Sequence, residues 1–169
     1  MKRLPKKTRR AEKPAPTKKP RVWCARPRGQ RFRSPKLQGE FAEMLFWIKC
    51  ATLGFILSKP WGDSCRYDFI ADYHGRLSRV QVKSVRHFDG HSYAAQIASR
   101  SSRSAHQRCY TASEVDFVAV CVLPKNTWYI IPILVLRNRS AIRVAPEVPR
   151  QHPNYSKYER FREAWHLMR

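Results

Sequence analysis

The chain has 169 residues and is strongly basic, with 34 Lys and Arg against 12 Asp and Glu and a formal net charge of +22 at pH 7. No apolar run reaches the ~18 residues of a membrane span, and the start lacks the apolar core of a signal peptide. A positive field of this size attracts polyanions, so the composition favours a cytoplasmic nucleic-acid-binding protein, nucleoid-associated if bacterial, over a membrane protein.

The first 33 residues form a basic segment of their own. They hold 14 Lys and Arg, one acid and five prolines, with hardly any periodic apolar residues. Such a segment buries too little surface to offset its ordering entropy. We predict a disordered basic arm that lies along phosphates. A solubilising or targeting tail is the alternative. We expect one folded domain over residues 34–145 and a helical extension over residues 146–169.

An amphipathic helix is predicted from Pro35 to about Leu53, where Gly54 ends it. Its apolar residues recur at helical spacing and predict one buried stripe, made of Leu37, Phe41, Met44, Leu45, Ile48 and Thr52. Glu40 and Glu43 lie off that stripe, one turn apart. Either carboxylate is therefore available to a site beside the helix.

A β-hairpin is predicted after a short strand over residues 55–59 and a loop. If His74-Gly75 is the turn, residue 72 opposes 77, 70 opposes 79 and 68 opposes 81. Side chains alternate along a strand, so Asp68, Gln81 and Lys83 emerge on one face. We expect the other face to be apolar, formed by Tyr67, Phe69, Ala71, Val80 and Val82. The polar face is either a metal-and-water site or a surface ion pair with a neighbouring amide.

The remaining chain predicts further strands around residues 92–98, 117–123 and 128–131. Between the first two lies a Ser- and Arg-rich stretch, residues 100–108, which we predict to be a flexible basic loop facing phosphate. The last residues repeat aromatic and apolar side chains every three or four positions, which predicts a docked amphipathic helix through Tyr155, Tyr158, Phe161, Trp165 and Met168. This order of elements predicts an α+β fold with a mixed central sheet flanked by helices.

The ordered series of Glu43, Asp68 and Gln81-Val82-Lys83 resembles the PD-(D/E)xK nuclease superfamily. Its segments resemble most the group I intron-associated, or homing, endonucleases, whose third acid is commonly Gln. The matching stretches span about residues 36–144: Gly39-Glu40-Phe41-Ala42-Glu43-Met44, Pro60-Trp61-Gly62-Asp63-Ser64-Cys65-Arg66-Tyr67-Asp68, Val80–Ser84, Tyr110-Thr111 with Val115-Asp116, and Trp128–Pro132. The resemblance implies a restriction-endonuclease-like core.

The resemblance also implies roles for the site residues. Asp68 would be the central ligand of Mg²⁺ or Mn²⁺, Glu43 would reach it from the helix, with Glu40 as the alternative, and the Val82 carbonyl would complete the oxygen shell. Gln81 would bind the metal through its amide oxygen or orient water. Lys83 would position the attacking water or stabilise charge in the transition state. Gln81 has no charge, so the site has one negative group fewer than the acidic form of the motif.

Two functions are compatible with these residues. The first is a divalent-metal DNA endonuclease, and the second is a non-catalytic basic nucleic-acid-binding module on the same fold. For phosphate contacts we predict Arg66, Arg79, Arg100, Arg103 and Arg108. Because double-strand cleavage by a single-site nuclease generally needs two subunits, we expect a homodimer or a larger homo-oligomer.

Overall fold

A mixed β-sheet is the central layer of the molecule in the computed structural model, which describes residues 32–62, 64–100, 107–153 and 155–169. In these ranges the helix and strands are α1 (Pro35–Thr52), β1 (Ile56–Ser58), β2 (Phe69–Tyr73), β3 (Arg76–Val85), β4 (Tyr93–Gln96), β5 (Ser99–Arg100), β6 (Gln107–Arg108), β7 (Phe117–Val122), β8 (Thr127–Pro132) and β9 (Ala141–Val144). The main sheet has the order β1-β2-β3-β7-β8, with β3 and β7 parallel and the other neighbours antiparallel. This arrangement confirms the predicted α+β class.

The predicted hairpin is confirmed. Asp72 opposes Leu77 and Ile70 opposes Arg79, and both turn residues, His74 and Gly75, have positive φ values of 52° and 88°. Two consecutive positive φ angles match the right-handed twist of the flanking strands. The Gly75 N–H donates to Asp72 Oδ1 at 2.8 Å, which closes the turn.

One residue before the hairpin does not follow the predicted alternation. Tyr67, expected beside Phe69, packs against the apolar cluster on the opposite face of the sheet. The reason is a bend at Asp68, because regular strand geometry begins only at Phe69. Asp68 still pairs with β3 through its own N–H, which donates to the Val80 carbonyl at 2.9 Å.

The buried stripe of α1 differs from the prediction. Ser34 caps the helix by accepting from the Leu37 N–H at 3.1 Å, but the residues it buries are Ala42, Phe46 and Cys50. The predicted stripe residues Met44 and Ile48 remain 63% and 60% exposed. Both stripes have helical spacing, so periodicity alone does not choose between them. The packing of Phe46 decides, since its ring contacts Phe69, Trp128 and Trp165.

Each face of the sheet is covered by a different layer. One face packs against α1, and its cluster includes Phe69, Val80, Val82, Phe117 and Trp128. The other face is covered by the β4–β9 ladder, whose inward side chains are Tyr93, Ala95, Ile142 and Val144. No helix in the described part of the chain is both long and apolar enough to cross a membrane.

The predicted C-terminal α-helix is wrong. The segment instead forms two short 3₁₀ turns, Glu159–Phe161 and Trp165–Met168. The chain is extended at Arg162, which forms a β-bridge with Tyr129, and Glu163 has a φ of 50°. The segment therefore crosses the edge of β8, so its apolar residues pack on both faces of the sheet: Tyr158 and Phe161 on one, Trp165 and Met168 on the other.

The predicted flexible loop over residues 100–108 is ordered at its two ends. Ser99 opposes Arg108 and Arg100 opposes Gln107 in a short antiparallel ladder. Residues 101–106 lie outside the described part of the chain, as do the predicted basic arm up to residue 31 and Asp63. The described ends of the loop therefore form a two-stranded ladder that is separate from the main sheet.

Glu159 is expected to hold the C-terminal segment in place. Its buried carboxylate accepts from the Tyr129 hydroxyl at 2.8 Å and from the Ala145 N–H at 2.7 Å. Replacement by Ala leaves two donors without an acceptor, so Glu159→Ala should lower the free energy of unfolding by about 2–4 kcal/mol. Urea denaturation measures this loss.

The matched control is Glu147→Ala. Glu147 is exposed and pairs with Lys125, so its replacement should change stability by less than about 1 kcal/mol. Equal effects of the two substitutions would contradict the anchoring role of Glu159.

Candidate active site

The four predicted catalytic residues line one cleft. Glu43, Asp68, Gln81 and Lys83 all face a cavity of about 600 Å³ between α1, the loop after β1, and β3. The cleft forms because Asp68 and the alternate residues of β3 share a side of the hairpin, while the first half of α1 runs alongside. Gln38 ties the helix to the strand at this point, since its Nε2 donates to Ser84 Oγ at 3.0 Å. The structure thus brings together residues that lie far apart in the sequence.

Asp68 lies at the centre of the cleft and is held by neutral donors. The Val82 N–H donates to Asp68 Oδ2 at 2.7 Å, and Gln81 Nε2 donates to the same oxygen at 2.5 Å. Burial raises the pKa of the Asp68 carboxyl above its ordinary value, and the negative charge of Glu43 adds to this effect. The Val82 N–H, the Lys83 ammonium and the Gln81 amide oppose it. The hydrogen bonds from Gln81 and Val82 both engage Oδ2, so neither of these two donors occupies Oδ1.

Glu43 forms an ion pair that the sequence did not indicate. Lys59 Nζ lies 2.6 Å from Glu43 Oε2 and 5.7 Å from the centroid of the Phe69 ring. The hydrogen bond to Glu43 raises the pKa of the Lys59 ammonium, and the charge of Asp68 contributes in the same direction. Lys59 is 16 residues from Glu43, so no spacing pattern could have predicted the pair. The site therefore contains a second lysine beside Lys83.

The helix carboxylate nearer to the centre of the site is Glu43. Glu40 also lines the cleft, but its side chain is 52% exposed and pairs with Lys36 at 3.9 Å along the helix. The Glu43 side chain is 22% exposed, and its charge acts on Asp68. The geometry thus favours Glu43 of the two alternatives.

Lys83 is placed by an aromatic ring. Its Nζ lies 5.5 Å from the centroid of Tyr110, and the guanidinium of Arg66 lies 4.5 Å from the same centroid. An ammonium at this distance from the ring is attracted to the negative face of the π system. Tyr110 is buried, so its ring is a fixed surface next to the Lys83 ammonium.

The oxygen atoms of the cleft suit a hard divalent cation. Asp68 and Glu43 supply carboxylates and Val82 a backbone carbonyl, which are the ligand types of Mg²⁺ and Mn²⁺. Gln81 presents its amide nitrogen to Asp68 and, at 3.3 Å, to the Val82 carbonyl. As a metal ligand it would have to rotate its amide by half a turn, so this geometry favours its orienting role. No group of three or more His, Cys, Asp or Glu forms a metal-binding cluster within the described ranges.

The predicted phosphate-binding arginines differ in how far they are already bound to other groups of the protein. Arg79 is bound by Asp116, with Nη2 2.8 Å from Oδ1, and donates to the carbonyl of Ala112 at 3.0 Å. Arg66 donates to Ser99 Oγ at 2.5 Å and pairs with Glu114 at 3.3 Å. Arg79 and Arg66 therefore tie β3 and the loop before β2 to neighbouring segments.

Arg108 also pairs with Glu114, at 2.6 Å, but 68% of its side chain is exposed. Of these arginines it has the most room for a phosphate. Arg103 and the side chain of Arg100 lie outside the described residues. Phosphate binding by this set stays a prediction.

Comparisons with known proteins agree with this fold. A family model described as PD-(D/E)XK endonuclease matches residues 33–167. Among solved structures, the chain is similar to a bacterial homing endonuclease, I-Ssp6803I, with 28% sequence identity and a TM-score of 0.65, covering 80% of this chain and 91% of that one. A search of curated proteins finds no match. The family match spans most of the chain, including the C-terminal segment, and the chain therefore belongs to the PD-(D/E)XK endonuclease family.

Proposed function

We propose that this protein is a Mg²⁺- or Mn²⁺-dependent endonuclease that hydrolyses DNA phosphodiester bonds. The observation that carries the proposal is the shared cleft of Asp68, Glu43 and Lys83 in a chain with a net charge of +22. A positive surface captures the polyanion, and the carboxylates supply a place where a divalent cation can lie against its phosphate.

The residues of the cleft divide the chemistry among them. Asp68 and Glu43, with the Val82 carbonyl, would hold the cation, which when bound supplies Lewis-acid polarisation of the phosphate and a water of lowered pKa. Gln81 and the Val82 N–H keep the Asp68 carboxylate in one orientation. Lys83, next to Tyr110, would stabilise the negative charge that develops on the phosphate oxygens. Lys59 neutralises Glu43 and would contact the phosphate when Glu43 turns to the cation.

We further propose a homing role, with a group I intron as the genetic context. Its support is the likeness to a protein described as a homing endonuclease, which covers 91% of that chain. A homodimer or larger homo-oligomer fits such a role, because each chain contributes one catalytic cleft and two strands must be cut.

Cleavage of supercoiled plasmid tests the catalytic proposal. Wild-type protein should nick or linearise the plasmid with Mg²⁺ and not with EDTA. Asp68→Ala should reduce the rate at least about 100-fold, because the central oxygen ligand is removed. Lys83→Ala should also reduce the rate while leaving plasmid binding in EDTA close to wild type.

Glu147→Ala, an exposed carboxylate outside the cleft, is the control and should cleave like wild type. If wild type and Asp68→Ala behave alike at every metal concentration, the protein is the basic binding module rather than an enzyme.

The buried charge of Asp68 should lower the stability of the metal-free protein. Its folded pKa lies above the ordinary 3.8, so the unfolded chain ionises first as the pH rises. Stability is then lost between pH 3.8 and the raised folded pKa, and it stays low at neutral pH. Asp68→Asn removes this charge and should raise the free energy of unfolding in EDTA at pH 7, but not below the ordinary pKa of 3.8. Chemical denaturation at several pH values measures the difference, and a variant less stable than wild type at neutral pH would contradict it.

The basic arm is proposed to bind phosphates along the duplex. Deletion of residues 2–30 keeps Phe32, whose ring lies 5.2 Å from that of Phe41, and Ser34, which caps α1. The slope of log affinity against log salt should become shallower by about 0.9 for each duplex phosphate that the arm neutralises in the full chain. Fluorescence anisotropy with labelled duplex DNA measures the slope. An unchanged slope would mean that the arm does not bind phosphate.

A further inference from the structure

A second cavity lies away from the proposed catalytic cleft and is larger. It measures about 750 Å³ and is formed by the outer face of the β4–β9 ladder and the segment after it. The described residues that line it include neither Asp nor Glu, and four of these residues carry or can carry positive charge: His91, Arg139, Arg143 and Lys157. We call this cavity the β4–β9 groove.

The floor of the β4–β9 groove follows from strand alternation. Tyr93, Ala95, Ile142 and Val144 point inward to the core, so Ala94, Gln96, Ala141 and Arg143 point outward. Ala94 opposes Arg143 and Gln96 opposes Ala141. Ala94 and Ala141 are therefore diagonal neighbours across the two strands. Their small side chains leave the backbone of the ladder accessible between the longer side chains of Gln96 and Arg143. A ligand can therefore approach closely along the floor.

The positively charged side chains of the groove differ in how they are held. Arg143 is held by Asp89 and by Ser92 Oγ at 3.0 Å, yet 67% of its side chain is exposed. The N–H groups of Ser92 and His91 and the Arg143 guanidinium keep the pKa of Asp89 well below its usual range, so this anchor stays charged. Arg139 and Lys157 are exposed on the walls. One acid thus orients one arginine, and the charge of the groove remains positive.

We infer that the β4–β9 groove binds the sugar-phosphate backbone of DNA that flanks the segment in the catalytic cleft. The inference rests on the proposed function, which supplies the polyanion. The volume is far larger than one phosphate needs, and the charges are spread over one strand, β9, and three connecting segments, as suits an extended anion. Tyr155, which also lines the groove, offers a flat surface for a sugar.

Removal of two groove charges tests the inference. In Arg139→Gln/Lys157→Gln the side chains stay polar, and neither residue takes part in the anchor of Arg143. Binding of a 40-base-pair duplex by the whole chain in EDTA should weaken about 10-fold, and the salt slope should fall by about 0.9 for each of the two phosphates that these side chains neutralise.

The matched control removes two charges elsewhere. Arg76 lies at the β2–β3 turn and Lys49 on α1, next to Glu163. Arg76→Gln/Lys49→Gln lowers the net charge equally, so it should weaken binding much less than the groove variant. An equal fall in affinity and in slope for the two double variants would overturn the inference.

Substitution of Ala94, on the floor of the groove, provides an independent test of DNA binding. Ala94→Glu and Ala94→Gln add side chains of the same size, and only the first adds a negative charge. Ala94→Glu should bind duplex DNA at least about 10-fold more weakly than Ala94→Gln, and equal binding would overturn the inference. If wild type cleaves no DNA, the catalytic proposal fails, while both binding comparisons still decide the role of the groove.

Discussion

The pairing of β3 with β2 on one side and with β7 on the other is the constraint on which the site depends. Along β3, Val80 and Val82 are buried under α1, while Gln81 and Lys83 point to the other side and line the cleft. A shift of one residue would place the polar side chains in the core and the valines in the cleft. The Val82 N–H also donates to Asp68. The packing of the core and the position of the candidate catalytic residues therefore both depend on the register of β3.

The centre of the cleft sets two carboxylates, Asp68 and Glu43, against two lysines, Lys59 and Lys83. Asp68 has neutral donors around it and a raised pKa, whereas Glu43 is already paired with Lys59. Desolvation and mutual repulsion of the carboxylates both favour a cation between them. Lys59 neutralises part of this negative charge through its ion pair with Glu43. A divalent ion between the two carboxylates would neutralise more of it, because it carries two positive charges. The same charges that make the site unfavourable for folding make it suitable for binding a metal.

Local sequence patterns predicted the hairpin, but they could not predict contacts between residues that are far apart in the sequence. The His74-Gly75 turn sets its own register, so residues 69–80 could be placed from sequence alone. The buried stripe of α1 could not, since Phe46 and Met44 both lie on helical stripes and only the aromatic partners of Phe46 distinguish them. The C-terminal segment has helical spacing, yet the chain is extended at Arg162, where it forms a β-bridge with Tyr129 of β8. Lys59 and Tyr110 are far in sequence from the residues they contact, and spacing contains no signal for them.

The position of the β4–β9 ladder links the proposed groove to the cleft. The ladder covers the face of the sheet from which Gln81 and Lys83 emerge, and Tyr93 packs in the same cluster as Val85 at the end of β3. Val85 is two residues from Lys83, so both regions are attached to one strand. Contacts made far from the reacting phosphate can then position it, because a rigid strand transmits the placement of the DNA. Binding free energy from the groove would in this way serve the chemical step as well as affinity.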